Sequence, residues 1–270
     1  MNVAISNIAW NPEEDKDILF LLKKYAISGI EIAPTMIWKE PTKESTKSIM
    51  KYKKFWNDEG INIVSIQSLL FGHPELLIFH SEENRKKTLS YIDKMFQVFA
   101  LLGVEDIVFG SPANRDRGKM SKVQAFEIAA EFFYTIGVMA KKYGLFFCIE
   151  PIPQEYGTNF INNTNEGIAL VKRVDHPHFR LHLDSGALTI KKENYKKSIE
   201  KAFPYLKHFH ISERNLLQIG STDVDHKTIA KTLKDLHFDN WLSIEMRRND
   251  KQSNYKNVEK ILKFVSKLYQ

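Results

Sequence analysis

Four short apolar runs in this 270-residue chain each end on, or carry near their end, a side chain able to ligate a metal ion. FFCIE ends at Glu150, RLHLD at Asp184 and LSIE at Glu245, while KHFHIS carries His210. Three carboxylates and one imidazole, with no thiolate among them, suit a single hard or borderline divalent cation. Mn2+ ranks first, Mg2+ and Co2+ follow, and Zn2+ is a further candidate. Each acid taken alone reads at least as well as a helix N-cap or a loop ion-pair partner. Taken together they read differently, because three carboxylates buried at one point without a cation would have to bind protons or cost several kcal/mol.

Bringing four such positions together is a task for a repeating frame. Apolar, β-branched or aromatic runs occur at Val3–Ala9, Gly29–Ala33, Ile63–Leu69, Asp106–Phe109, Leu145–Ile149, Phe179–Leu183, Leu206–Ile211 and Trp241–Ile244. Between them lie amphipathic stretches of helical length, the last with Val258, Ile261, Leu262, Val265 and Leu268 at near 3,4 spacing. Gly60, Gly103 and Gly144 stand just before strands, where a left-handed helix cap belongs. Eight βα repeats with no linker of biased composition predict an α/β chain forming one (β/α)8 barrel, a single domain over residues 1–270. An open doubly wound sheet shares the alternation, but GxGxxG and GxxxxGK[ST] are both absent.

Active sites in such barrels sit where strands end, so Glu150, Asp184, His210 and Glu245 are expected to converge at the barrel mouth. Side chains alternate along a strand, which predicts a layer of Cys148, His182, His208 and Ser243 beneath them. There the two histidines would fill the layer or support the ligands, and Cys148 would pack. Glu31 and Gln67 end the second and third strands and are candidate substrate contacts, with capping or packing as the alternative. Arg115 and Arg117, in SPANRDRG after the fourth strand, could grip a phosphate or carboxylate or simply be solvated.

Composition narrows the classes. One cysteine forbids an internal disulfide framework and any multi-cysteine metal site, and points to a reducing compartment, the cytoplasm. The N-terminal segment lacks a basic-then-apolar leader, and no uninterrupted apolar stretch approaches the roughly 18 residues of a membrane span. The net charge of +6 comes from lysines scattered through helix-like segments, so a nucleic-acid partner is disfavoured.

IEP at Ile149–Pro151, LHLDSG at Leu181–Gly186, HFHISE at His208–Glu213 and DNWLSIEM at Asp239–Met246 resemble the xylose-isomerase-like barrels. These include sugar-phosphate isomerases and epimerases, ketose 3-epimerases, inosose dehydratases, hydroxypyruvate isomerases and type IV apurinic endonucleases, and the resemblance covers essentially the whole chain. It implies that Glu150, Asp184, His210 and Glu245 ligate one divalent metal, and that Glu150 and Glu245 also move the proton next to a substrate carbonyl. The implied activity is a metal-dependent sugar or sugar-phosphate isomerase or epimerase passing through a metal-stabilised enediolate. An inosose-type dehydratase on the same site is the alternative. The loop after HISE closes over substrate in this family, which makes Arg214 and His226 candidate contacts; otherwise Asp225 is a helix cap and His226 a first-turn residue. The implied partner is a small carbohydrate, with a homo-oligomer left open.

Two departures from the pattern matter. Ketose 3-epimerases place a histidine where Ala187 stands and a glutamate where Tyr156 stands, which weighs against free-ketose 3-epimerisation. The third and fourth strands end IQSLLFG and IVFGSPANRD, without the extra histidines of a trinuclear zinc nuclease.

Overall fold

A computed structural model describes residues 1–249 and 253–270. All eight expected strands form: β1 (Asn2–Ser6), β2 (Gly29–Ile32), β3 (Asn62–Ile66), β4 (Asp106–Phe109), β5 (Phe146–Ile149), β6 (Phe179–Asp184), β7 (Leu206–Ser212) and β8 (Trp241–Glu245). They pair in sequence order, all parallel, and β1 closes on β8. This is the (β/α)8 barrel that the alternation predicts.

Among the described residues, nine α-helices accompany the strands: α1 (Asp15–Lys24), α2 (Thr46–Asn57), α3 (Glu82–Leu102), α4 (Lys122–Lys142), α5 (Thr164–Val174), α6 (Ser185–Ile190), α7 (Tyr195–Ala202), α8 (His226–Asp235) and α9 (Asn254–Tyr269). Their starts are written locally: the side chains of Ser45, Ser81, Ser121, Asn163, Asn194 and Asp225 each accept a hydrogen bond from the backbone N–H three residues on. Gly60, Gly103 and Gly144 adopt φ of +79°, +77° and +71°, the left-handed turn expected before a strand.

The apolar core lies between the barrel wall and the helices. Phe109, Phe133, Phe147 and Phe179 form one aromatic cluster there, with Phe109–Phe147 and Phe133–Phe179 ring centroids 5.1 and 5.0 Å apart. By length and composition α4 could cross a membrane. Its apolar face is spent otherwise: Ala125, Ala129, Phe133, Ile136 and Ala140 are buried against the barrel.

Two irregularities in the ladder set the site. Between β6 and β7 the register shifts after Leu181, which then pairs His182 with His208 and Asp184 with His210. Between β2 and β3 it shifts after Ile30, setting Glu31 beside Ser65.

Candidate active site and metal centre

The C-terminal ends of β5 to β8 carry Glu150, Asp184, His210 and Glu245 to the floor of one cavity of about 400 Å3. Glu150, Asp184 and His210 each bring one donor atom to within 4.8 Å of the others. Glu245 reaches the group through Oε2, 3.2 Å from Nδ1 of His210. Asp184 satisfies two readings at once: its Oδ1 caps α6 by accepting from the Ala187 N–H at 2.6 Å, and its Oδ2 accepts from the Ser212 hydroxyl.

The layer beneath is present as well. Cys148, His182, His208 and Ser243 are fully buried, and Nδ1 of His182 lies 3.2 Å from Nδ1 of His208. Glu31, also fully buried, stands behind His210, with its carboxylate 3.1 Å from Nε2 of that ring. It accepts from the Ser65 hydroxyl at 2.8 Å and from the Gln67 amide at 3.0 Å.

The electrostatics follow from burial and from this crowding of acids. Burial, with Glu245 and Asp184 beside it, pushes the Glu150 carboxyl up to about 8, against the pull of His210 and Arg115. Burial and Glu245 take Asp184 up to about 6. Burial would also raise Glu31, yet His210, His208 and the Ser65 hydroxyl hold it down at about 2. For His210 burial works against the charged ring, but Glu31 and Glu245 push it well above the ordinary imidazole range.

These residues fit a divalent cation. Nδ1 of His210 is buried and has no hydrogen-bond partner, though a carboxylate oxygen lies 3.2 Å away. With Nε2–H given to Glu31, Nδ1 is the nitrogen turned toward Glu245, and a cation bound there would replace the second ring proton that the two carboxylates otherwise favour. Oxygen and imidazole donors without thiolate suit Mn2+, Mg2+, Co2+ or Zn2+.

Of the remaining sequence candidates, Gln67 lines the cavity while also holding Glu31. Glu31 is not on the cavity wall; its four neighbours Ser65, Gln67, His208 and His210 enclose it. Arg214 and His226 are not on the wall either. Arg214 is drawn outward into an ion pair with Asp223. His226 is buried under the β7–α8 loop, with Nε2 3.0 Å from Glu213 Oε1 and Nδ1 2.9 Å from the Tyr269 hydroxyl. Arg115 is fully buried and gives Nη2–H to the backbone carbonyl of Glu150 at 2.6 Å, and Arg117 donates to the Met120 carbonyl.

The wall also includes Tyr156, Glu213, Asn215 and Arg247, which the sequence reading did not single out as contacts. Arg247 had a signal: two residues beyond Glu245, it continues the face on which that carboxylate lies. Tyr156 stands where the ketose 3-epimerase pattern has glutamate, and its hydroxyl accepts the Asn215 N–H at 2.8 Å, joining the β5–α5 and β7–α8 loops.

The D-psicose 3-epimerase of Ruminiclostridium cellulolyticum is 27% identical over 120 residues, 44% of this chain and 41% of its own length. The chain thus spans about two fifths of that curated relative. Among solved structures, D-psicose 3-epimerase from Clostridium cellulolyticum H10 with D-tagatose superposes with a TM-score of 0.84 at 18% identity, covering 100% of both chains. A 3-keto-D-glucoside 4-epimerase from E. coli gives 0.80 at 18% identity over 99% of each chain. At such identities the likeness establishes the barrel. Glu150, Asp184, His210 and Glu245 lie within residues 19–268, and that span matches the family model described as xylose isomerase-like TIM barrel, so the chain belongs to the xylose isomerase-like TIM barrel family.

Proposed function

We propose that this protein is a divalent-metal-dependent sugar isomerase or epimerase that works by proton abstraction next to a carbonyl. The observation that carries the reading is the convergence of Glu150, Asp184, His210 and Glu245 around an unpartnered, buried Nδ1 at the floor of a sugar-sized cavity. The relatives named as 3-epimerases of ketoses support the substrate class. When bound, a divalent ion supplies Lewis-acid stabilisation of negative charge on the substrate oxygens.

The chain's own residues do the rest. Glu150 and Glu245 project from strands three apart in the ring, so a substrate carbon between them is open to a carboxylate from either side. One removes the proton, and the other returns it to the opposite face for epimerisation or to the neighbouring carbon for isomerisation. Burial raises Glu150 toward neutrality, which suits a group that must both take and give a proton. Tyr156 and Arg247 on the wall offer a phenol and a guanidinium to the sugar hydroxyls. With the Tyr156 phenol where ketose 3-epimerases carry a glutamate, ketose 3-epimerisation of free sugars is not the favoured reaction of this cavity.

The test is to load the protein with Mn2+, incubate it in D2O with ketoses, phosphoketoses and inososes, and read the recovered sugars by NMR after removing the ion. Deuterium beside the carbonyl with the skeleton intact is the expected outcome, and Glu150→Gln and Glu245→Gln should each abolish it. An alkene or deoxy-ketone product would replace the reading with dehydration. Full exchange in either variant or in metal-free protein would overturn it.

A further inference from the structure

The contacts behind His210 have a direction. Three groups converge on Glu31, and an ionised carboxylate only accepts: Ser65 Oγ at 2.8 Å, Gln67 Nε2 at 3.0 Å and His210 Nε2 at 3.1 Å. A serine hydroxyl has one hydrogen. Given to Glu31, it leaves Ser65 Oγ able only to accept from Nε2 of His208, 3.1 Å away. The opposite arrangement would put two bare oxygens 2.8 Å apart in a fully buried place, at a cost that an unmade buried hydrogen bond does not recover.

The consequence propagates. With its proton on Nε2, neutral His208 presents a lone pair at Nδ1, and the only hydrogen that can occupy the 3.2 Å gap to His182 is on Nδ1 of His182. That leaves Nε2 of His182 bare, and Nε2 of His182 is indeed buried without a hydrogen-bond partner. On the other side of Glu31, His210 directs its Nε2–H to that carboxylate and turns Nδ1 toward Glu245. Gln67 steadies the carboxylate, since its amide nitrogen also lies 2.5 Å from Ser6 Oγ.

We infer that Glu31, Ser65, His208 and His182 form one directional hydrogen-bond chain that fixes the tautomers of His208 and His182, while the same Glu31 carboxylate holds Nε2–H of His210 and so leaves Nδ1 of that ring to face the ion. Glu31 and Ser65 are positioning residues, acting through His210 and touching no substrate. The purpose of the chain rests on the metal-dependent reading above, but its direction does not. Fixing the ring of a metal-bound histidine from behind raises metal affinity by roughly 10- to 100-fold in comparable sites.

The experiment is long-range proton–nitrogen NMR on protein labelled with 15N-histidine, recorded without metal and with Zn2+, together with Zn2+ affinity from competition with a chromophoric chelator. Expected are a proton on Nε2 of His208 and on Nδ1 of His182, and in the zinc form a proton on Nε2 of His210. Glu31→Gln should weaken Zn2+ by roughly 10- to 100-fold, and Ser65→Ala should change the His208 and His182 patterns. A His208 proton on Nδ1, or unchanged patterns in Ser65→Ala, would overturn the chain. Zn2+ affinity within twofold of wild type in Glu31→Gln would overturn the positioning role; should that variant not fold, the wild-type and Ser65→Ala spectra still decide. None of these readouts involves a sugar, so failure of isomerase activity with the tautomers as expected counts against the proposed function alone.

Discussion

Gly110 makes room for Glu150: a methyl group on Gly110 would lie 2.6 Å from Oε2 of that carboxylate and 3.1 Å from Ile152 Cδ1. The glycine just beyond β4 is therefore a steric allowance for the proposed base on β5, and its backbone is not in the left-handed region. Gly110→Ala should leave the fold intact and force Glu150 off its position. Misplacement by about 1 Å costs on the order of 100-fold in rate. Turnover together with circular dichroism checks this; a folded variant with wild-type turnover would show that Glu150 need not sit there.

Tyr156→Phe removes the acceptor of the Asn215 N–H from a loop in which Asn215 and Leu216 hold φ of +57° and +55°. Leucine is rarely found in that region, so the loop depends on what ties it down. Loss of one hydrogen bond, about 1 kcal/mol, should raise KM by roughly 5-fold with a smaller change in kcat. Steady-state kinetics would expose the reverse split, in which kcat collapses and KM stays, and that result would give Tyr156 a part in the chemistry.

Asp106, at the start of β4, is buried with no hydrogen bond to either carboxylate oxygen, and Nζ of Lys207 lies 3.6 Å away. Burial pushes it up to about 7, against Lys207. The folded chain therefore keeps a proton that the unfolded chain, with an ordinary value near 3.8, releases. Its contribution to stability is full below about pH 4 and is lost as pH rises to 7. Urea unfolding from pH 4 to pH 8 should show wild type losing on the order of 3 kcal/mol relative to Asp106→Asn across that window. Parallel curves for the two proteins would sink the assignment.

His226→Ala would take from the Tyr269 hydroxyl its partner and from Glu213 one of three donors, the Gly220 N–H and the Thr222 hydroxyl remaining, because His226 is held between the two and lies off the cavity wall. Expected is a loss of about 2 kcal/mol of stability, with kcat/KM falling less than tenfold. A 100-fold fall at unchanged stability would instead mean that this side chain reaches the substrate.

The convergence of Glu150, Asp184, His210 and Glu245 was legible because two simple periodicities suffice: pleat alternation chooses the face, and the barrel brings the strand ends together. The same alternation placed His182 and His208 one layer down. Glu31 is a candidate contact or packing residue from sequence, and its place behind His210 is hidden there, because the register shift that sets it beside Ser65 has no signature in GIEI or NIVSI. The Asp225 cap and first-turn place of His226 were legible, but not its contact with Tyr269, which is 43 residues away on α9 with no local pattern linking them. Tyr156 was visible as a departure from a family pattern, but its bond to Asn215 depends on how two loops meet in space.

Asp184 accepts from the first turn of α6 through one oxygen and from Ser212 through the other. Its rotamer is thus settled when the chain folds, and the entropy of immobilising it belongs to folding, not to ion capture. At this position the protein is a mould and not a clasp: an ion taken up as proposed above would require no movement of the Asp184 side chain.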